Sequence, residues 1–447
     1  MSKPRLVILH RNMGLLGGAQ RDLIVALPEH AKRWSITVAT LNAPQLLLDR
    51  CEQLGIEVIT PDVPWQLPTG PIAEVTARAG RSALKSWRKL RSKLQPALDA
   101  ADACYVVLST GGMEVLDIVP NNCPLYVYIH ERDKGIYDDV LQRDMDGQLR
   151  YPLIVKNLAL TYLRRWDQRW HKRLWKRPQS AVSANTPTSS RLLASSHGWP
   201  TSKDWVAGDV KFRDEQQRPA EVGVLWPAID PTAWPSEETE EERVAWQAFD
   251  HKPTGPYLLT IGRAGFMKGS KEAVQVAAAS SLPLVHVGGG ETDEMQRQAD
   301  KAGAELLVMP RIDEMEIVAL MRNAHALIAT ARTEGFGLTP MEAAMVGTPA
   351  LVVSDCGFTF THTVTDGFNG RRLPWPSTEE GLEQWVQAVE QAGDASNRIA
   401  WSKAGRERIL ERFTANHQAE GLARSLAAMG VDVETTDLEM LPGLDPA

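Results

Sequence analysis

A chain of 447 residues with 43% apolar and 23% charged side chains is too long for one hydrophobic core and too mixed for a fibrous or disordered protein, so roughly two or three globular domains are expected. Its formal charge of −7 is uneven: residues 1–200 carry 27 Lys+Arg against 18 Asp+Glu and the remainder 22 against 38, which suits the first half to an anionic partner. No nucleic-acid reading motif accompanies that charge, which argues against nucleic acid, and Cys51, Cys104, Cys123 and Cys356 lack metal-ligand spacing and fit the reduced thiols of a cytoplasmic protein.

The apolar run Leu6–Leu9 predicts a buried strand, too short for a secretory leader or a spanning helix and closed by His10, Arg11 and Asn12. The loop G-L-L-G-G-A-Q-R follows, then a short helix expected over Asp22–Pro28. At such a junction Gly17 and Gly18 would let a phosphate approach the backbone, with a plain turn as the competing explanation. Strand, helix and strand alternate through Ile36–Leu41, Pro44–Leu54 and Glu57–Thr60. Arg78–Leu98 predicts a basic helix with Leu84, Trp87, Leu90, Leu94 and Leu98 on one stripe. Tyr105–Leu108 and Leu125–Ile129 are strands again. The rhythm predicts a parallel, doubly wound α/β sheet, whose ligands gather beyond the carboxyl ends of the strands. His130 stands at one such end, where an imidazole can move a proton or donate to a sugar hydroxyl; a histidine bonded to backbone is the alternative.

Leu153–Lys176 carries an i+4 ladder, Leu158, Tyr162, Trp166, Trp170 and Leu174, among Arg164, Arg165, Arg169, Lys172, Arg173, Lys176 and Arg177. The ladder predicts a helix packed on the first domain with a solvated basic face. The same composition, here over 153–177 and also over 78–98, would suit peripheral contact with an anionic membrane surface. A strand at Ala181–Ala184 and a helix at Thr188–Ser196 come next, and between about 200 and 255 turn residues and the acidic run Glu237–Glu242 interrupt the pattern and mark a domain boundary.

The strand Tyr257–Ile261 restarts it, followed by G-R-A-G-F-M-K-G and a helix from about Ser270. Arg263 and Lys268 are two cations on a glycine-punctuated turn at a strand's end, which meets a diphosphate's need for charge compensation; an idle surface pair is the alternative. Leu284–Val287 runs into Gly288, Gly289 and Gly290, another strand-end loop. Leu306–Val308, the helix Glu314–Asn323 and the strand Ala326–Ala329 lead to T-A-R-T-E-G-F-G-L-T-P-M-E-A-A-M-V-G-T-P over residues 330–349. Gly335 and Gly337 there permit close backbone approach to a ligand, Thr339 is expected as a helix N-cap with Pro340 after it, and Gly347 and Pro349 are stop signals. Glu334 and Glu342 offer carboxylates to the hydroxyls of a sugar or ribose; a capping box through Glu342 and a solvated Glu334 is the plain alternative. Helices over Thr378–Ala392 and Trp401–Ala428 follow, and the acidic, aperiodic stretch from Gly430 is expected as a loose tail.

E-G-F-G-L followed by E-A-A-M-x-G-x-P resembles the Glu-x7-Glu motif of the large retaining glycosyltransferase family 4. Other stretches resemble that family in the same order: the loop at Gly17–Gly18 with Gln20 where an acid is usual, His130, an Arg-rich helix over 153–177, Arg263 with Lys268-Gly269, and the glycines at 288–290. The resemblance implies the GT-B fold, an α/β architecture of two Rossmann-like domains facing across a cleft. It places an acceptor-side domain at 1–225, a donor domain at 226–409, a last helix at about 410–429 crossing back to the first domain, and a flexible acidic tail at 430–447. It further implies transfer, with retention, of a sugar from a nucleotide-diphosphate-sugar donor to a hydroxyl on a glycan or lipid-linked acceptor, with no tightly bound cofactor or metal. In those terms Arg263 and Lys268 hold the diphosphate, Glu342 the ribose, and Glu334 and His130 the transferred sugar. Gly17, Gly18, Gly288, Gly289, Gly335, Phe336, Gly337 and Leu338 would line the donor.

Three stretches depart from the family pattern: V-L-W-P-A-I-D at 224–230 lacks the Asn and Gly of P-N-G-V-D, Thr330-Ala331 replaces Pro-Ser, and His362 takes the place of a loop Glu. They leave two alternatives open: a non-catalytic regulator binding nucleotide sugar or glycan, or another GT-B enzyme such as a sugar-nucleotide epimerase or a phosphorylase.

Overall fold

The computed structural model describes residues 3–442 except 15, 16, 71–75, 110, 139–142, 250, 251, 310, 311, 355, 357 and 358. The chain forms two compact units, the first from Met1–Asp138, Tyr151–Ala228 and Arg412–Asp445, the second from Asp139–Arg150 and Ile229–Glu411. The stretch Asp139–Arg150 therefore leaves the contiguous first domain expected over 1–225. Its Met145 is buried in the second core and its Asp146 pairs with Lys271 at 2.6 Å, contacts to distant partners that no local pattern announces.

The first unit holds a seven-stranded parallel sheet of order β3-β2-β1-β4-β5-β6-β7. Its strands are β1 (Arg5–His10), β2 (Ser35–Thr40), β3 (Glu57–Ile59), β4 (Ala103–Leu108), β5 (Leu125–Ile129), β6 (Ser180–Ala184) and β7 (Gly223–Val224). β4 and β5 are buried on both faces and so read as unbroken apolar runs. Their side chains alternate. Cys104, Val106, Leu125 and Val127 pack with Trp87, Leu90, Leu94 and Leu98 of the helix Arg78–Asp99, where Ala83 is buried and Leu84 only half-buried. Tyr105, Tyr126 and Tyr128 point the other way, and Tyr105 lies 5.9 Å from the His30 ring.

His30 belongs to the helix Gly18–Arg33, which runs straight through Pro28 where a stop was expected. His30 and Trp34 are fully buried, and that packing offsets a proline cost of about 3 kcal/mol. The predicted long helix 401–428 is in fact two, Ala395–Arg412 and Ala415–Ala428, broken where buried Phe413 packs edge-on against Trp226. The second of these packs on Gly18–Arg33.

Beyond it the expected loose tail is tied down as far as Pro442. Glu420, fully buried, accepts Arg33 at 2.6 Å, Arg424 at 2.7 Å and Thr436 Oγ1 at 2.8 Å, while Arg424 and Arg412 donate to the carbonyls of Leu438 and Pro442. Burial alone would raise the Glu420 pKa, but these donors outweigh it and hold the carboxyl below its usual range.

The helix Leu153–Trp175 departs from its expected packing in another way. Trp170 and Leu174 are buried, yet Leu158 is 69% and Tyr162 42% exposed, and the first turn leaves Leu153, Ile154 and Val155 at 55%, 74% and 47%. Only the C-terminal half of the ladder faces the core.

The second unit holds a six-stranded parallel sheet of order β10-β9-β8-β11-β12-β13. Its strands are β8 (Leu258–Ile261), β9 (Leu284–Val287), β10 (Leu306–Met309), β11 (Ala326–Ala329), β12 (Ala350–Val353) and β13 (Arg371–Leu373). The acidic run taken as a boundary caps and begins a helix, Glu240–Ala248, where Thr239 accepts the Glu242 N–H and three glutamates favour the helix N-terminus.

Two outcomes follow. Burial pushes the imidazoles of His10 and His30 down to about 3 and about 4. An unfolded imidazole titrates near 6.5, so below that pH the unfolded chain binds more protons and stability declines. Asp22 and Asp133, pushed up to about 7 and about 6 by burial, and Glu114, also raised, act oppositely by losing stability as pH rises through those values, but the lowered imidazoles of His10, His30, His130, His197 and His286 outnumber them. Thermal melts should therefore drop progressively from pH 6.5 to 4; a constant Tm to pH 4.5 would contradict this. Truncation after Gly430 should lower Tm by a few degrees, since removing donors to a buried carboxylate costs about 1–3 kcal/mol.

Candidate active site

In the second unit the chain steps from β8 to β9 and β10 on one side, then crosses to β11, β12 and β13 on the other. The loops after β8 and β11 therefore meet at the carboxyl edge at the point where the winding direction changes, which is where ligands of such sheets gather. Arg263 and Lys268 follow β8, the glycines 288–290 follow β9, and Glu334–Leu338 follow β11, so all the second-unit candidates stand at the ends of three adjacent strands.

Lys268 ends a short 3-10 turn, Phe266–Lys268, and its ammonium forms an ion pair with Glu334 Oε2. The other oxygen, Oε1, accepts the Gly335 N–H at 3.1 Å. Both side chains are partly open, 29% and 21% exposed, so the pair is within reach of a ligand. Arg263 is exposed, its stem lies close over Gly290, and among the described residues no acidic partner engages its guanidinium.

The glycines divide by role. Gly288 donates to Met309 O at 2.9 Å, and a Cβ there would fall on the Gly262 carbonyl, so this residue serves the close joining of two loops rather than a phosphate. Gly289 accepts the Ala264 N–H at 2.7 Å, and a Cβ there would meet nothing within 4 Å. Gly337 has φ +89° and itself caps the helix Leu338–Met345, which displaces Thr339 from the N-cap expected for it. A Cβ on Gly337 would come within 2.8 Å of the Phe360 ring. Pro340 falls in the first turn, where no N–H is needed, and Glu342 lies buried inside the helix rather than in a capping box. Phe336 and His362 are buried, and Leu338 is half-buried.

In the first unit, Gly17 and Gly18 are exposed at the start of Gly18–Arg33, beyond β1. Gln20 is buried and its Nε2 donates to Asn12 O at 3.1 Å, a bond that the acid usual at this place could not make. His130 follows β5, two strands from β1 in the sheet. Its Nε2 lies 3.2 Å from Asp22 Oδ2, and Asp22 Oδ1 accepts Ala228 N at 2.6 Å and Gln418 Nε2 at 2.8 Å. Burial pushes His130 down to about 3, helped by the charge of His10, and pushes Asp22 up to about 7. The two are accordingly a neutral imidazole lying beside a carboxyl pushed toward its protonated form, not an ion pair. Asp22 went unnoticed in the sequence, where its only signal was a carboxylate on the buried face of an apolar-periodic helix.

Asp167, His171 and His197 also converge, with donor atoms within 4.8 Å of one another. Asp167 Oδ2 accepts Tyr137 Oη at 2.8 Å and lies 3.3 Å from His171 Nδ1 and 3.6 Å from His197 Nε2. The two imidazoles stack 3.8 Å apart at 13°, so their in-plane lone pairs run parallel and do not meet at one ion. The arrangement suits a carboxylate-bridged ring stack better than a metal centre.

Residues 242–408 match the family model described as "Glycosyl transferases group 1". A glycogen synthase of Mycobacterium tuberculosis is 30% identical over 205 residues, 43% of this chain and 45% of its own. The O-antigen chain mannosyltransferase C of Escherichia coli is 27% identical over 168 residues, 37% of this chain and 44% of its own. The chain thus spans less than half the length of these curated relatives. The crystal structure of Anabaena Alr3699/HepE in complex with UDP and glucose superposes with a TM-score of 0.60 at 16% identity, over 95% of this chain and 100% of that one. WaaG, a glycosyltransferase involved in lipopolysaccharide biosynthesis, gives 0.59 at 18% identity over 90% and 94%. Residues 242–408 are thus similar to the glycosyl transferases group 1, and the two parallel sheets give the chain the GT-B α/β fold.

Proposed function

We propose that this chain transfers a sugar, with retention, from a nucleotide-diphosphate-sugar donor to a hydroxyl acceptor. The observation that carries the reading is the meeting of Lys268 and Glu334 at the β8/β11 switch point, inside the segment that matches the group 1 family. A sugar diphosphate presents hydroxyls on one side of the bond to be broken and phosphate oxygens on the other. Glu334 accepts hydrogen bonds from the first and Lys268 donates to the second. As the bond to the sugar stretches, negative charge builds on the departing diphosphate, and Arg263 and Lys268 stabilise it. The half-open helix start at Gly337–Leu338 adds backbone N–H groups to the same task. The departing phosphate oxygen helps take the acceptor's proton, so no covalent sugar–Glu334 adduct is required. Neutral His130, oriented by Asp22, hydrogen-bonds to a sugar hydroxyl. The UDP-glucose complex of the Anabaena neighbour makes a uridine-diphosphate hexose the first donor to try.

A second element concerns the acceptor side. No helix among the described residues is long and apolar enough to cross a membrane. The helix Leu153–Trp175 nonetheless exposes Leu153, Ile154, Val155, Leu158 and Tyr162, with Lys156, Arg164, Arg165 and Arg169 on the same helix. Exposed apolar residues flanked by cations suit an anionic bilayer surface bearing a lipid-linked acceptor. The helix Arg78–Asp99 buries its apolar stripe and can add only charge.

Lys268→Ala and Arg263→Ala should each lower donor turnover by about 100-fold or more while far-ultraviolet circular dichroism is unchanged. Near-normal turnover in both removes them from the reaction. Ligand-induced stabilisation without any turnover would favour the regulator, phosphate-dependent turnover a phosphorylase, and an isomerised donor an epimerase. Ile154→Glu with Leu158→Glu should abolish co-flotation with phosphatidylglycerol vesicles and leave donor hydrolysis intact; wild-type protein that ignores such vesicles contradicts the membrane reading.

A further inference from the structure

Arg332 precedes Glu334 by two residues and takes no part in the roles assigned above. Its guanidinium is inserted between two rings, 3.8 Å from the centre of Phe266 and 4.4 Å from that of Trp375. Nη1 donates to Phe266 O at 2.6 Å and to Glu272 Oε2 at 3.2 Å, and Nη2 pairs with Glu272 Oε1. The backbone N–H of Arg332 donates to Met267 O at 2.9 Å. Just upstream, Thr330 Oγ1 donates to Gly269 O at 2.8 Å and lies 3.3 Å from Lys268 O. Contacts from residues 330–332 thus fall on both sides of Lys268, on the turn that carries it.

A three-residue 3-10 turn has little stability of its own, because its hydrogen bonds are poorly aligned and few. The lysine side chain adds four rotatable bonds, so the place of its ammonium depends on where neighbouring structure holds the turn. We infer that Arg332 is a positioning residue for the donor reaction: clamped by Phe266, Trp375 and Glu272, it fixes the turn Phe266–Lys268 on the end of β11 so that Lys268 faces the diphosphate. It does this without touching the donor. The planar, stacked, doubly hydrogen-bonded guanidinium is what the place demands, and a lysine ammonium cannot reproduce it. The inference rests on the reading of Lys268 as the diphosphate cation.

The test is a double-mutant cycle on donor turnover with Arg332→Met, Lys268→Ala and the double variant. Arg332→Met should lower kcat about 10- to 100-fold, the scale expected of a reacting group displaced by about 1 Å, with donor KM changed less than about threefold. The double variant should be no slower than Lys268→Ala alone, and Arg332→Lys should not restore the rate. Undiminished kcat in Arg332→Met, or losses that multiply in the double variant, would overturn the positioning role. If Lys268→Ala is itself fully active, the functional reading fails first and the inference with it. Should Arg332→Met not fold, Glu272→Gln loosens the same clamp isosterically and carries the same expectations.

Discussion

A lysine ammonium and a glutamate carboxylate 66 residues apart in the chain are held together by the ends of two adjacent parallel strands. Parallel pairing is what makes that possible, since every strand delivers its carboxyl end to the same edge, and the change in winding direction falls between these two neighbours. The loop after β8 supplies the cations and the loop after β11 supplies the acid. At the same edge, Gly288 and Gly262 lock the β8 and β9 loops by backbone contact, which leaves side chains free to vary without moving the frame. The Lys268–Glu334 pair is partly exposed, so its own contribution to stability is small, as expected of surface ion pairs. Its importance lies in presenting opposite charges side by side to a ligand that has both kinds of need.

The first unit solves a different problem. One face of its sheet is an ordinary apolar contact with Trp87 and its helix, while the other collects His10, His30, Asp22, His130 and three tyrosines in near-complete burial. Charge is costly there, so the acid is pushed toward its protonated form and the imidazoles toward their neutral ones. The result is a buried polar layer that carries little net charge.

Much of this was legible in the sequence because doubly buried parallel strands are short apolar runs. Leu125–Ile129, Leu284–Val287 and Ala326–Ala329 were located to the residue, and the edge residues that follow them were named from their chemistry together with the family resemblance. What escaped is set by partners far away in the chain. Pro28 looks like a helix stop until the burial of Trp34 is known, and Thr339 looks like a cap until Gly337, two residues earlier, adopts a left-handed conformation. The ladder in Leu153–Trp175 is uniform in sequence but buried only where the sheet lies beneath it. Asp22 and Arg332 were not singled out, and only their distant neighbours, Gln418 and Ala228 for one and Phe266 and Trp375 for the other, draw attention to them.

The hydrogen bond from Gln418 to Asp22 joins residues 396 positions apart, and the first unit also takes in the chain from Arg412 onward. On the ribosome, the seven strands of that unit emerge early, yet the helix that covers their tyrosine-lined face follows every strand of the other. The half that begins first is therefore completed only after all six strands of the second sheet have been made. A nascent chain stalled before residue 415 would hold a second sheet with all its strands made and a first sheet with one polar face still wet, a stage at which chaperones have most reason to bind.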